Sequence, residues 1–414
     1  MATVMDTGLA GAKVPARREP TRGELLLLGA LTAFGAISID LYLPTLPVIG
    51  RDFGATPAAV QLTFTAFFIG MAMGQLVYGP VSDRMGRRPA ILFGCTLFTV
   101  SSIACAFAPT IDWLVAGRFV QALGCCAGMV VARAVVRDRY DHRDSARIFS
   151  LLVLVLAVAP MLAPSIGGWL AAVVSWRAVF VALALFGASL LAAVFFRLDE
   201  SRSAATADKA RGERWWASYA DLLGRRRLMG YILLGGANGA TLFSYIATAP
   251  DLVIEVWGFT SGQFSMIFAG VAVGVIGASQ VNRVLLRRFS PDDILSVAVL
   301  AAAVSGVLAL VLALAGAGPW GMIGVFALVL TSNGLIAANA LAGALNVDPL
   351  RAGATSGLYG SGNFAMGALA SGLTAALHDG TALPVAMVMA GSLVLGAVCY
   401  YAMARPPSGG VSPD

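Results

Sequence analysis

Charged residues are few in this chain of 414: Asp, Glu, Lys and Arg make up 12% of it, where soluble domains carry about a quarter. A solvated globular surface cannot be built at that density, so water is excluded as the main solvent. Histidine is scarcer still, with only His142 and His378, which fall between apolar runs on opposite sides. An intramembrane enzyme needs His, Asp, Glu, Ser or Cys clustered at catalytic spacing within the spans, and a metal needs a ligand set. Neither pattern occurs, so no enzyme, metal or cofactor is expected. The five cysteines, Cys95, Cys105, Cys125, Cys126 and Cys399, all sit inside apolar runs. That excludes a disulfide framework or a zinc cluster and leaves them as small buried hydrophobes.

What the sequence has in abundance is apolar length. Hydrophobic residues make up 58% and mean hydropathy is +0.81. At about 20 residues per crossing, the runs predict helices near 24–44, 58–80, 89–109, 112–134, 146–171, 176–196, 228–250, 262–284, 293–316, 319–342, 353–376 and 383–403. The chain therefore reads as an all-α integral membrane protein of twelve spans. Thr56-Pro57 and Ser290-Pro291 mark helix starts, a capping hydroxyl followed by proline where a missing N–H costs nothing. The first run begins near Leu25, after Arg17, Arg18 and Arg22, and leads into Asp40 and Pro44 without a small-residue cleavage site, so it is expected to remain as the first span.

The net charge of +6 sits at span ends rather than on a soluble basic face, so nucleic acid is not the expected partner. Lys13, Arg17, Arg18 and Arg22 share one side with Arg84, Arg87 and Arg88, with Arg137, Arg139, Arg143 and Arg147, and with Arg283, Arg287 and Arg288. The other side shows little beyond Arg51 and Arg177. The positive-inside rule then places both termini in the cytoplasm. Residues 197–227, with Glu200, Lys209, Arg211, Glu213 and Arg225 to Arg227, form a polar linker between a first bundle at 24–196 and a second at 228–403, flanked by tails at 1–23 and 404–414. Trp215, Trp216 and Tyr219 give its second part the look of an amphipathic segment at the membrane interface, although a plain linker fits as well. Asn282-Arg283 with Arg287-Arg288 echoes Asp83-Arg84 with Arg87-Arg88 and suggests two related halves.

The segment Gly79-Pro80-Val81-Ser82-Asp83-Arg84-Met85-Gly86-Arg87-Arg88-Pro89 resembles the loop between helices two and three of the major facilitator superfamily. The stretches Ser38 to Pro44, Val60 to Thr63, Gly74 to Pro80, Arg118 to Gly124 and Ala159 to Gly168 resemble the bicyclomycin-resistance branch of its drug:proton antiporters, to which chloramphenicol and florfenicol exporters are similar. In the second half the match thins to Ala338-Asn339-Ala340 and Ala352-Gly353. The resemblance implies two pseudo-symmetric six-helix bundles that export amphiphilic compounds in exchange for protons, acting as a monomer among membrane lipids. It also implies that Gly79, Asp83, Arg84, Gly86, Arg87 and Arg88 form a latch that holds the halves in the outward-open state.

Arg118 is a charge within an apolar run, expensive enough that it must face the protein interior. The resemblance assigns it to proton coupling; bonding between helices through backbone carbonyls or Gln121 is the competing role. Asp40, the one acid of the first span and close to its expected outer end, is the leading proton carrier, against a solvated carboxylate at a span terminus. Related exporters carry a second acid two turns earlier, where this chain has Thr32. Pro160 and Pro164, ahead of Gly167 and Gly168, predict a kinked fifth span packed closely on a neighbour. Tyr42, Gln75, Asn238, Tyr245, Asn339, Tyr359 and Asn363 are candidate substrate contacts, polar groups in apolar spans that equally suit interhelical hydrogen bonding. A native metabolite, such as a sugar or amino-acid derivative, fits the same machine as a drug.

Overall fold

The computed structural model describes residues 21–140, 148, 162–203, 206–208 and 215–405. Among these, ten helices are long and apolar enough to cross a bilayer: Arg22–Phe53, Pro57–Met85, Arg87–Ala106, Ile111–Arg139, Trp176–Arg197, Arg226–Val256, Ser261–Leu285, Pro291–Leu314, Pro319–Val347 and Leu383–Ala404. Leu162–Val173 is a shorter apolar helix, and Ala352–Ala376 runs 25 residues but is broken up by Gly, Ser, Thr and Asn. Numbered in chain order these are spans one to twelve, with Leu162–Val173 as span five and Ala352–Ala376 as span eleven. Pro160 and most of the expected start of span five lie outside the described residues, as do most of both tails.

Local chemistry sets the helix starts. Thr56 accepts from the Ala59 N–H at 3.3 Å, and Ser290 and Asp293 cap each other reciprocally at the start of span nine. Such a cap stabilises a helix by about 1 kcal/mol. Spans two, four and seven run five or six residues past their sequence-based ends, to Met85, Arg139 and Val256, and two further spans continue through an internal break. Span one does not end at Pro44: the chain tightens into a short turn at Leu43–Thr45 and resumes as a helix at Leu46–Phe53. Pro44 and Pro47 each occupy the first turn of a new segment, where proline is tolerated, so they bend the span without ending it. Span ten likewise continues to Val347 through a break between Thr331 and Asn333.

Spans one, two and three pack on span four in the first half, and spans ten, eleven and twelve pack on span seven in the second. Burial separates central from peripheral helices: the most apolar stretch of span seven is 89% buried, that of span nine only 33%. A helix that is apolar all round and mostly uncovered needs lipid around it. Spans two and eleven form the main seam between the halves.

At the arginine-rich end a polar knot ties the first half together. Arg87 bonds Asp83, Asp138 at 2.8 Å and the Ser82 hydroxyl at 2.7 Å. Arg88 donates to the Phe195 carbonyl at 2.7 Å, and Arg139 joins Glu24 and the Asp199 carbonyl. Glu200, just past span six, accepts from the backbone N–H groups of Arg87, Arg88, Ser201 and Arg202. Its carboxylate therefore sits on the positive end of span three, where an anion is favoured. Burial pushes the Glu200 carboxyl up, but those four N–H groups outweigh it and hold it below its ordinary value of 4.5. Gly86 makes the approach possible: its φ is 109°, and a Cβ there would lie 2.5 Å from Glu200 Oε2.

Two stability measurements follow from the knot. Gly86→Ala is expected to destabilise the detergent-solubilised protein by about 1–3 kcal/mol, the usual cost of such a backbone conformation. Gly79→Ala, where a Cβ meets nothing within 4 Å, should leave the melting temperature unchanged; equal melting temperatures for the two variants would contradict the geometry. Because the Glu200 carboxyl is depressed on folding, its contribution is complete above 4.5 and is lost as pH falls through the lower folded value. Melting curves from neutral to about pH 3 should show that acid-sensitive increment in the parent and its absence in Glu200→Gln.

Candidate functional site

Arg118 occupies the first third of span four and is fully buried. Its Nη1 donates to Gln121 Oε1 at 2.5 Å and more weakly to the Ser38 carbonyl at 3.4 Å. Gln121 in turn donates to Ser102 Oγ at 2.6 Å. The guanidinium carbon lies 4.1 Å from the centre of the Phe67 ring and 4.4 Å from that of Tyr42. Tyr42 is itself fixed by a 2.9 Å hydrogen bond shared with Thr63. The cation is thus held by two π faces, each worth up to about 2 kcal/mol when desolvated, and by neutral oxygens. Nε and Nη2 have no hydrogen-bond partner among the described residues.

Asp40 ends the regular helix of span one and is buried. The continuation to Phe53 moves it inward from its expected place near the outer end. Thirteen residues now separate it from Phe53, about 20 Å at 1.5 Å per residue, so a solvated terminal carboxylate no longer describes it. It does not pair with Arg118. Ser38 and Tyr42, four residues apart and so on one helix face, both touch the guanidinium, whereas Asp40, midway between them in sequence, lies across the helix. Among the described residues nothing hydrogen-bonds or ion-pairs with its carboxylate. Thr32, at the position of the relatives' second acid, is buried and donates to the Leu28 carbonyl at 2.8 Å.

Span five meets span one beside this acid. A Cβ on Gly167 would lie 2.0 Å from the Leu41 carbonyl oxygen, and one on Gly168 would touch Pro44. Only glycine permits that contact. Pro164 is buried in the first turn of the described part of the span.

A cavity of about 700 Å³ lies between the halves at the arginine-rich end. Gln75, Asp83 and Arg87 from the first half line it, with Arg133 and Arg137 of span four, Tyr219 of the linker, and Leu341 and Arg351 of the second half. Of the candidate substrate contacts, it includes Gln75 alone. Asn339 donates to Asn282 at 2.7 Å and to the Leu335 carbonyl, Asn363 to the Gly235 carbonyl at 2.9 Å, and Tyr359 to the Ala337 carbonyl. In this conformation those three join helices. Tyr245 packs on Phe326, Asn238 is buried in span seven, and Tyr42 belongs to the Arg118 cluster.

Sequence reasoning did not single out Arg133, fifteen residues after Arg118 on the same helix and facing the cavity. Its spacing of four from Arg137 was the available signal. The linker helix Trp215–Leu223 was also underestimated. Tyr219 donates to the Leu76 carbonyl at 3.1 Å, while Asp221 pairs with Arg351 and Arg225 pairs with Asp348 at 3.1 Å. The helix therefore touches both halves. Burial, followed by the negative charge of Asp83, pushes the Tyr219 hydroxyl up to about 12.

The opposite end is closed between the halves. Arg51 pairs with Glu255 at 2.8 Å, Thr65 donates to Ser371 at 3.2 Å, and the Phe68 and Phe243 rings lie 4.4 Å apart. A smaller cavity of about 230 Å³ beneath Arg51 and Glu255 is lined by Gln61, whose amide is buried without a partner among the described residues. The bonds of Asp83, Arg87 and Arg88 stay within the first half and the segment after span six.

Gln121→Leu tests the support of the buried cation. It strips Nη1 of its nearest acceptor, so unfolding free energy should fall by roughly 1–3 kcal/mol, the cost of orphaning a buried donor. Chemical denaturation in detergent measures it, and parental stability would mean that the aromatic faces alone suffice.

The sequence profile of the Major Facilitator Superfamily matches residues 26–371. An uncharacterized MFS-type transporter, YdgK, of Bacillus subtilis is 32% identical over 391 residues, 92% of this chain and 94% of that protein. A bicyclomycin resistance protein homolog of Haemophilus influenzae is 30% identical over 377 residues, 91% of this chain and 95% of that protein. The multidrug resistance protein MdtL of Escherichia coli is 32% identical over 268 residues, covering 64% and 67%. Among solved structures, a D-xylose-proton symporter superposes with a TM-score of 0.73 at 12% identity, covering 94% of this chain and 99% of its own.

Proposed function

Since this chain belongs to the major facilitator superfamily, we propose that it is a proton-driven antiporter, exporting small amphiphilic compounds such as phenicol- or bicyclomycin-like antibiotics from the bacterial cytoplasm. The observation that carries this reading is one-sided access: a 700 Å³ cavity between the halves at one end, and the Arg51–Glu255 bridge with its aromatic packing at the other. We place the arginine-rich end in the cytoplasm of a cell bounded by its inner membrane, on the positive-inside rule. This conformation is then inward-facing, and both termini are cytoplasmic. Both walls of the cavity come from one chain, which supports a monomer.

In this reading the halves rock about the seam of spans two and eleven. The outer bridge opens as the arginine-rich ends close, and the glycine-rich loop with Asp83 engages the second half in the outward-open state. Asp40 carries the proton, as a deeply placed carboxyl without a competing cation. Arg118 acts on it through span one, because its guanidinium grips Ser38 and Tyr42 on either side of the acid. A charge moving inward across about 100 mV releases about 2.3 kcal/mol, enough to sustain roughly a 50-fold substrate gradient at about 1.4 kcal/mol per factor of ten. One proton per cycle therefore suffices for useful export.

Proton-driven export from reconstituted vesicles tests the assignment. Asp40→Asn keeps the shape of the carboxyl and removes the proton, so uphill export should vanish while substrate binding persists. Arg118→Lys keeps the charge but loses the planar fork; it should stay folded, bind substrate and export at least about tenfold more slowly. Parental rates in both variants would remove these residues from coupling. A compound panel settles the cargo: export of sugar or amino-acid derivatives without any antibiotic would make the protein a metabolite exporter.

A further inference from the structure

Among the described residues, the cavity at the arginine-rich end carries five arginines, Arg84, Arg87, Arg133, Arg137 and Arg351, and one acid, Asp83. Two of these arginines have carboxylate partners within the protein. Arg87 is neutralised by Asp83 and Asp138, and Arg351 by Asp221 and Asp348. Arg133 and Arg137 differ. Arg133 uses Nε to bond the Met129 carbonyl of its own helix at 3.0 Å, which leaves Nη1 and Nη2 unengaged among the described residues. Arg137, one helical turn on and on the same face, makes no hydrogen bond or ion pair there. The lone cavity acid is already committed to Arg87.

Topology alone does not account for Arg133. The positive-inside rule concerns loops and span ends, whereas Arg133 stands six residues before the end of span four, about 9 Å inside it, and half-buried. A guanidinium placed there needs an acceptor. Val130 lies beside the pair, and Leu341 and Leu345 line the cavity from the second half. An apolar body thus has a surface to rest on next to two free cationic forks.

We infer that Arg133 and Arg137 form an oxyanion subsite, so that this cavity prefers amphiphiles carrying a carboxylate, sulfonate or phosphate over neutral or cationic ones. The inference rests on reading the cavity as the substrate chamber. Guanidinium recognises such groups through paired, charge-assisted hydrogen bonds. With this end in the cytoplasm, the inside-negative membrane potential would itself drive an anion outward. An anionic lipid headgroup offers the same oxygens as a soluble substrate, and the test separates the two.

Full-length protein in phosphatidylcholine nanodiscs is titrated with 1-naphthoate, 1-naphthamide and naphthyltrimethylammonium, one ring system in three charge states. Naphthoate should bind about tenfold or more tightly than the amide. Arg133→Gln and Arg137→Gln should each weaken naphthoate about tenfold and leave the amide unchanged, with partial recovery in Arg133→Lys. In discs containing phosphatidylglycerol, weaker naphthoate binding to the parent but not to Arg133→Gln identifies the lipid headgroup as an occupant of the same subsite; unchanged binding identifies a soluble anion. Equal affinities for naphthoate and naphthamide would overturn the proposal. So would equal losses for all three probes in Arg133→Gln, which would make the residue structural. Binding at equilibrium needs no proton gradient, so charge selectivity without coupled export would sink the antiport reading alone. Coupled export without selectivity would sink the subsite alone.

Discussion

A permanently charged guanidinium in the apolar interior constrains where spans one, two and four can lie. Arg118 cannot shed its proton as a lysine would, and among the described residues no carboxylate meets it, so the surrounding helices must supply aromatic faces and neutral oxygens. Phe67 comes from span two, Tyr42 and the Ser38 carbonyl from span one, and Gln121 from span four itself, braced by Ser102 of span three. Four helices are thereby fixed around one side chain. Shifting any of them uncovers a charge whose desolvation costs several kcal/mol.

That arrangement separates two groups expected to act together. The acid of span one and the arginine of span four do not form a pair; the backbone of span one lies between them. In the antiport proposed above, coupling would run through this helix, by moving Ser38 and Tyr42 rather than by direct attraction. The close contact of Gly167 with the Leu41 carbonyl places span five against the same turn, so a change in the acid's protonation meets packed neighbours on more than one side.

Much of this was legible in the residues. Span count, the capping hydroxyls of Thr56 and Ser290, the burial of Arg118 and the need for glycine at 167 follow from apolar length, capping chemistry and small-residue patterning, which are local. What escaped depends on partners distant in sequence. Pro44 looks like the end of a span, and only the packing of Leu46–Phe53 shows that the helix resumes. Glu200 looks like a linker charge until its four N–H partners, two of them more than a hundred residues earlier, are brought to it. The asparagines at 339 and 363 are ambiguous in sequence for a similar reason: an amide suits a ligand and a neighbouring carbonyl equally well, and the neighbour decides.

The two halves repeat one another imperfectly at one telling position. In the last turn of span two, Asp83 joins an ionic knot with Arg87 and Asp138; in the last turn of span eight the corresponding residue is Asn282, which is buried and accepts a neutral hydrogen bond from Asn339 at 2.7 Å. Mobile ions reach the first contact through the exposed side of Asp83, although Arg87 itself is buried, and barely touch the second. Ionic strength on the arginine-rich side therefore acts unevenly, loosening the loop of the first half while its counterpart stays as it was, so dissolved salt gains a hold on one arm of a nearly symmetric lever.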